Sequence, residues 1–152
     1  MEISRKEIFL VGLVLALATA YVVWFTDWGK PQIIPIGFSA RPYVVPRTRR
    51  GADGEVEKVN WSLTFALGRN FELTSVRVVD AAKFAADPKS PALWRLAGKS
   101  SPTSGFVYGA DIVGLQPFVP GMPPPPLVAG VKYRIFVDAT KAHGEQEFTL
   151  TR

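Results

Sequence analysis

The sequence predicts an all-β sandwich of about seven short strands, preceded by one N-terminal transmembrane helix. Two observations support this fold class. Residues 8–25 contain no charged side chain and are long enough to cross most of a bilayer. Beyond them, short segments with alternating apolar and polar residues recur between turn-forming Gly, Pro and Asn, and no long amphipathic helix pattern interrupts them.

The apolar segment is best explained as a membrane anchor. We predict a cytoplasmic tail at residues 1–7, a transmembrane helix at residues 8–28 and an extracytoplasmic β-sandwich domain at residues 29–152. At about 1.5 Å per residue, the helix spans roughly 30 Å, the thickness of a hydrocarbon core. Arg5 and Lys6 favour a cytoplasmic N-terminus, so we expect a single-pass protein of the inner (cell) membrane with its C-terminal domain in the periplasm or its equivalent.

A cleaved signal peptide is the alternative to a retained membrane anchor. Residues 18–20 are small enough for a cleavage site, but the apolar run continues beyond them and favours a retained helix. Aromatic side chains prefer the headgroup boundary, and we predict three interfacial anchors at the C-terminal end of the helix: Tyr21, Trp24 and Trp28.

One face of the anchor carries small residues. Gly12, Ala16 and Ala20 recur every four residues, and such spacing lets a second helix approach closely. We therefore expect helix packing on partner subunits within the membrane. Residues 8–25 include no His, Asp, Glu, Lys or Arg, so the helix offers no proton relay and no usual side-chain ligand for a haem or chlorophyll.

The exported part is predicted from its alternation pattern. In residues 55–67, Trp61, Leu63, Phe65 and Leu67 alternate with smaller or polar residues, which indicates a half-buried strand. A helical turn is expected at 81–86, turns at 68–70 and 141–144, and an extended irregular loop at 116–126, which holds six prolines. The seven strands are predicted at 32–40 (an edge strand interrupted by Pro35), 55–67, 73–79, 93–96, 106–108, 131–139 and 145–151.

Residues 127–139 carry a more specific pattern. Leu127, Gly130 and Tyr133, followed by alternating apolar residues, resemble the penultimate strand of fibronectin type III and related immunoglobulin-like domains. The resemblance implies that the Tyr133 hydroxyl bonds back to the backbone near residue 127 or 129, as in a tyrosine corner. It also implies that Trp61 is the core tryptophan of an early strand.

The sequence offers few residues for catalysis. The chain has no cysteine and one histidine, His143, in a predicted turn where a solvated role is expected. Glu55 and Glu57 would share a strand face, but a solvated hairpin end explains them better than calcium binding. With no nucleophile elbow and no phosphate-binding loop, we expect no enzyme, no cofactor, no metal site and no small-molecule substrate.

Two surface features are candidates for partner or lipid contact. Apolar side chains in the proline-rich loop, Phe118 and Met122, would be wasted if they faced water alone. Four arginines form the strongest charge cluster and could face acidic protein, lipid headgroups or only solvent: Arg41, Arg47, Arg49 and Arg50.

Together these features predict a non-catalytic accessory subunit of a larger membrane protein complex, by analogy a respiratory or photosynthetic one. Its helix would pack on partner helices and its β-domain would brace an extracytoplasmic component. The net charge of +5 suits a site near anionic lipid or an acidic partner, and we expect no nucleic acid for an exported domain. The alternative is a free-standing tethered binding, adhesion or envelope-assembly module.

Overall fold

The computed structural model describes residues 5–25, 30–43 and 60–151. It divides into two compact units, an N-terminal helical unit that ends at Pro31 and a β-domain that begins at Gln32. Helix α1 spans Arg5–Phe25, and its stretch Lys6–Phe25 is long and apolar enough to cross a membrane. The predicted N-terminal apolar helix is therefore present, while Trp28 lies outside the described residues.

The β-domain is built almost entirely of strands, with one short helix. The described residues form nine strands instead of the seven expected. The elements in chain order are β1 (Gln32–Ile33), β2 (Gly37–Tyr43), β3 (Asn60–Phe71), β4 (Leu73–Asp80), α2 (Ala81–Ala86), β5 (Trp94–Gly98), β6 (Thr103–Val107), β7 (Leu115–Pro117), β8 (Lys132–Ala139) and β9 (Ala142–Thr149).

The strands form two sheets. The larger sheet has the order β1-β9-β8-β4-β5-β7, and the smaller has the order β2-β3-β6. All described pairings are antiparallel except β1 with β9, which is parallel. One apolar core joins the two sheets: the fully buried Phe65 of β3 contacts Phe106 of the smaller sheet and Phe148 of the larger one, both at 5.4 Å between ring centroids.

The alternation predicted for the strand at residues 55–67 is confirmed by burial where the structure describes it, from residue 60 onward. Leu63, Phe65 and Leu67 are at most 1% exposed, and they account for much of the core between the sheets. Trp61, at the start of the same pattern, is only half-buried and packs against the core from its margin. Trp94 of β5, at 6% exposed, is the more deeply buried of the two and belongs to the core cluster itself.

The predicted first strand is split between the two sheets. Its first part pairs with β9 as β1, and its second part pairs with β3 as β2. Pro35 lies between the two strands and belongs to neither, so its missing backbone N–H removes no hydrogen bond from a ladder. The chain thus changes sheet at residues 34–36, and the side chain of Ile34 stays fully within the core.

Three other local predictions needed correction. β3 continues through the expected turn at 68–70, and Gly68, with φ of +74°, lies where its register with β6 shifts. The last hairpin turns at residues 140–141, so His143 and Gly144 belong to β9. The proline-rich segment begins with strand β7, which pairs with β5.

Helix α2 forms where it was predicted. The Asp80 side chain accepts hydrogen bonds from the backbone N–H groups of Ala82 (3.0 Å) and Lys83 (3.2 Å), which satisfies two donors of the first turn. The helix covers part of the outer face of the larger sheet, where Phe84 contacts Phe136 at 5.2 Å between ring centroids.

Candidate partner-binding groove

A surface groove of about 430 Å³ lies between two loop segments at the β5–β7 side of the larger sheet. One wall is the segment 88–95, which leads from α2 into β5. The other is the proline-rich segment 117–125 that follows β7. The volume is within the range of sites that bind small molecules or peptide side chains. We refer to this feature as the groove.

The proline-rich wall is held in place by the domain core. The Tyr108 hydroxyl donates a 3.0 Å hydrogen bond to the backbone oxygen of Pro125, and the Tyr108 ring packs edge-on against Trp94 at 5.2 Å. Gly109 adopts φ of +80°, and a Cβ there would lie 3.0 Å from the Pro124 ring. These contacts indicate a wall positioned before any ligand arrives, which lowers the entropic cost of binding.

The environment of Tyr108 also restricts its chemistry. Burial raises the pKa of the Tyr108 hydroxyl above its ordinary value, and proximity to Tyr133 raises it further. The hydroxyl therefore stays protonated at physiological pH, as its donated hydrogen bond to Pro125 requires.

Three large apolar side chains stand out on the proline-rich wall. Phe118, Val119 and Met122 line the groove and are 65%, 50% and 69% exposed, respectively. We call these three residues the apolar rim. The structure thus brings together the two loop residues predicted to contact a partner, Phe118 and Met122, in one place. A contiguous exposed apolar cluster beside a groove is typical of an interaction site.

The groove is also cationic. Arg77, Lys89 and Arg95 line it, and no Asp or Glu is among its lining residues in the part of the chain that the structure describes. The Arg95 guanidinium lies over the Phe118 ring at 4.5 Å, and the backbone N–H of Phe118 donates a 3.0 Å hydrogen bond to the Arg95 oxygen. Groove and apolar rim are therefore connected through residue 95.

Sequence reasoning missed these cations for a physical reason. Arg77 alternates with the buried Val76 and Val78, so its outward direction could be read from β4 alone. Its neighbour across the ladder is Arg95. That neighbour depends on the β4–β5 register, which the sequence pattern does not specify.

One buried polar atom also belongs to the groove. Ser90 is a lining residue, and its hydroxyl oxygen is buried without a hydrogen-bond partner among residues 5–25, 30–43 and 60–151. Its backbone N–H is satisfied by the Asp87 oxygen at 2.9 Å. An unsatisfied buried hydroxyl lowers stability, so Ser90 is a position to test by substitution.

The predicted arginine cluster is only partly described. Arg41 is exposed on β2, opposite Ser62, and it does not line the groove. Arg47, Arg49 and Arg50 lie outside the described residues, so their contact with partner or lipid stays a prediction.

The small-residue face of α1 is open. Gly12, Ala16 and Ala20 are exposed, and a Cβ added to Gly12 would meet no described atom within 4 Å. At the C-terminal end of the helix, Tyr21 stacks on Phe25 at 5.1 Å, and Trp24 is 85% exposed. Packing on another helix and anchoring at the headgroups stay predictions for these residues.

His143 occupies a strand position with a carboxylate partner. Its Nδ1 lies 2.5 Å from Asp138 Oδ1 on the neighbouring strand β8, and Ser75 of β4 stands opposite Asp138 on the other side. In a nucleophilic triad the histidine must contact the serine. Here Asp138 separates them, and strands two positions apart are about 9–10 Å apart, so this row does not form a triad.

No metal site was found in the described parts of the chain. Residues 5–25, 30–43 and 60–151 hold no group of three or more His, Cys, Asp or Glu side chains placed to bind an ion. Comparison with known proteins gives no match to a family model, a curated protein or a solved structure. The function must therefore be argued from the groove and the helix themselves.

Proposed function

We propose that this chain is a non-catalytic, single-pass accessory subunit of a membrane protein complex. In this proposal α1 anchors the protein and packs on partner helices through Gly12, Ala16 and Ala20. The β-domain braces an extracytoplasmic protein through the groove. The observation that carries the proposal is the apolar rim, which leaves three large side chains in water beside a preformed concave surface.

We further propose that the β-domain is of the immunoglobulin or fibronectin type III class. Two sheets with a common core support this, as does the hydrogen bond between the Tyr133 hydroxyl and the backbone of Val128. The split first strand and the short strand β7 raise the strand count above seven without changing the two-layer arrangement. Such sandwiches serve many binding roles, so the class alone names no partner.

The proposed orientation places the N-terminus in the cytoplasm and the β-domain outside it. The support is the pair Arg5 and Lys6 before the apolar stretch, by the positive-inside rule. Protease treatment of intact and permeabilised spheroplasts tests it: digestion of the β-domain in intact spheroplasts is expected, and protection there would reverse the orientation.

The groove can be tested in native membranes. Mildly solubilised membranes are separated by native electrophoresis, and the band that contains this chain is identified by mass spectrometry. We expect migration with a large complex at fixed stoichiometry, and Met122→Asp is expected to release the subunit because it places a charge in the apolar rim. Val128→Asp introduces the same charge at an exposed position that does not line the groove and should be retained.

Other outcomes would contradict the groove as the contact. Equal retention of both aspartate variants would exclude the apolar rim as the contact surface. Migration of the wild-type protein alone would favour a free-standing tethered binding module.

The helix face is tested by a second matched pair. Gly12→Leu adds bulk on the small-residue face, whereas Ala18→Leu adds similar bulk on the opposite side of the same helix. We expect only Gly12→Leu to weaken association with the complex, because close helix approach needs small residues. Loss of association with Ala18→Leu alone would contradict the assignment of the packing face.

A further inference from the structure

We propose that the groove binds an extended acidic peptide segment of the partner protein, with its carboxylates bound by Arg77 and Arg95. This inference rests on the proposed function and names the chemistry of the ligand. It is carried by the relation between two arginines on neighbouring strands, by the rings that hold them and by the apolar rim beside them.

Arg77 and Arg95 are directly opposite each other across the antiparallel β4–β5 ladder. Their side chains therefore leave the same face of the sheet, and like charges placed in this way repel each other and destabilise the pair of strands. Neither forms an ion pair with a carboxylate in the described part of the chain, and the third cation of the groove, Lys89, has none there either. Carboxylates bound at the two guanidinium groups would offset this repulsion.

Aromatic rings contact both guanidinium groups, on opposite flanks of the β4–β5 pair: those of Arg77 lie on the β8 side, and that of Arg95 lies on the β7 side. Arg77 lies over Phe136 at 4.6 Å and over Phe84 at 5.4 Å, while Arg95 lies over Phe118 at 4.5 Å. Stacking uses the flat face of a guanidinium and leaves the N–H groups at its edge free to donate. The edge is the part that binds a carboxylate in a bidentate manner, so the two arginines are prepared for such a ligand.

The remainder of the groove selects for a peptide over a small anion. Phe118 and Met122 of the apolar rim stand beside Arg95, and the wall between them is rich in proline. An inorganic anion would leave this apolar surface in water. A peptide that places a carboxylate on the arginines and an apolar side chain on the rim would cover both.

The probe for this inference is an array of short synthetic peptides. Each member combines Asp or Glu with Leu, Val or Pro, and each has a twin in which Asn or Gln replaces the acid. The full-length protein is applied in nanodiscs of zwitterionic lipid, and the affinity of each selected peptide is measured by fluorescence polarisation. We expect acidic members to be retained and their amide twins to bind at least about tenfold more weakly.

Variants separate the proposed contact from general charge attraction. Arg77→Gln and Arg95→Gln are each expected to weaken peptide binding about tenfold, because each removes one of the two arginine contacts to carboxylate. Lys141→Gln removes one positive charge at the β8–β9 turn, outside the groove, and should change affinity less than about twofold. If circular dichroism shows that Arg77→Gln does not fold, the exposed Arg95 decides the test through Arg95→Gln.

Several results would overturn the proposal. Equal binding of acidic peptides and their amide twins would exclude carboxylate recognition. If Lys141→Gln lowered peptide affinity as much as the two arginine variants do, net charge alone would explain the binding. Binding to phosphatidylglycerol vesicles without retention of any acidic peptide would assign the arginines to lipid. Failure of all peptides, with a native complex that Met122→Asp still disrupts, would leave the proposed function standing and reject only the ligand chemistry.

Discussion

The backbone N–H of Val128 donates a 2.9 Å hydrogen bond to the hydroxyl oxygen of Tyr133. The tyrosine is 4% exposed, and its ring contacts Phe148 at 5.7 Å between centroids. The bond spans the turn that ends the proline-rich loop and begins β8, where Gly130 adopts φ of +83°. It therefore fixes the exit of the loop whose other side forms the groove.

Replacing Tyr133 with Phe should lower the free energy of unfolding by about 1–2 kcal/mol. The ring is preserved, but the half-buried Val128 N–H loses its acceptor, and an unsatisfied donor carries this cost. Urea unfolding of the full-length protein in detergent, followed by the β-strand circular dichroism signal, measures the change. Tyr43→Phe is the control, because Tyr43 is 49% exposed on the edge strand β2.

A similar loss in both tyrosine variants would mean that removing any hydroxyl has this effect. In that case the bond to Val128 would have no special part in stability. A loss confined to Tyr133→Phe would support the tyrosine-corner role that the sequence of residues 127–139 suggested.

Features that depend on neighbouring residues could be predicted from the sequence. The period-two pattern of Leu63, Phe65 and Leu67 identifies the core face of β3, since side chains alternate along any strand. Asp80 and Pro88 bound the short helix α2 through local capping and a missing N–H. The resemblance of residues 127–139 implied a bond from the Tyr133 hydroxyl to the backbone near residue 127 or 129, and the observed partner is the N–H of Val128, between them.

Features that depend on pairing between distant strands could not be predicted. Arg77 and Arg95 become neighbours only through the β4–β5 register, and a register is set by the whole core. Trp94 lies in a strand candidate too short to show an alternation, so its burial in the core beside the partly buried Trp61 could not be predicted. The groove shares this origin, because its two walls come from segments with three of the nine described strands, β5, β6 and β7, between them.

Gly144 is expected to tolerate no side chain. A Cβ at this position would lie 2.6 Å from the backbone oxygen of Ile34 and 2.8 Å from its Cβ, at the point where β1 leads out of the larger sheet. Because Ile34 is buried and its N–H is bonded to the His143 oxygen at 2.9 Å, it cannot move freely. Gly144→Ala should lower the free energy of unfolding by about 1–3 kcal/mol.

The matched control for this change is Gly37→Ala in the edge strand β2. There the nearest atom to an added Cβ is the Ala66 oxygen at 3.9 Å, an ordinary contact, so stability should change by less than about 1 kcal/mol. Denaturant unfolding of the two variants under the same conditions checks both values. Equal changes in the free energy of unfolding for the two variants would show that the close approach of β9 to residue 34 does not contribute to stability.

Glu147 should make the stability of the domain depend on pH in the acid range. Hydrogen bonding to Arg134, with its positive charge, holds the pKa of the Glu147 carboxyl below its usual range, and Lys132 lowers that pKa further. A lowered pKa means that stabilisation is present above the unfolded-state pKa of Glu, about 4.3, and is lost as pH falls through the folded-state value. The thermal midpoint of the wild-type protein should therefore fall with acidification.

Glu147→Gln should flatten this part of the profile, because the amide does not titrate. The measurement is the thermal midpoint of both proteins from neutral to acid pH, and their difference should shrink as pH falls. Added salt should reduce the difference, since the pair is exposed to solvent. Asp111→Asn is the control, because it removes an exposed carboxylate on the β6–β7 connection that takes part in none of the described ion pairs. A constant difference between the wild type and Glu147→Gln at all pH values would contradict the role of the Arg134 contact.

Replacing serine with alanine should change the free energy of unfolding in opposite directions at Ser100 and Ser90. The Ser100 hydroxyl accepts a 2.8 Å hydrogen bond from the Leu73 N–H and donates one of 2.8 Å to the Ser101 oxygen, and the residue is 4% exposed. Ser100→Ala removes both bonds and leaves buried groups unsatisfied, so it should lower the free energy of unfolding by about 1–3 kcal/mol. In contrast, the buried hydroxyl of Ser90 has no partner in the described residues, and Ser90→Ala should raise stability by about 1 kcal/mol.

The two variants share one substitution and one measurement, urea unfolding in detergent, so each serves as the control for the other. A loss of stability with Ser90→Ala would show that its hydroxyl has a partner in solution. If Ser90→Ala stabilises the domain but weakens binding of the acidic peptides, the hydroxyl contributes to the groove at the expense of the fold. Gain of stability with unchanged binding would assign its burial to packing of the segment 88–95 alone.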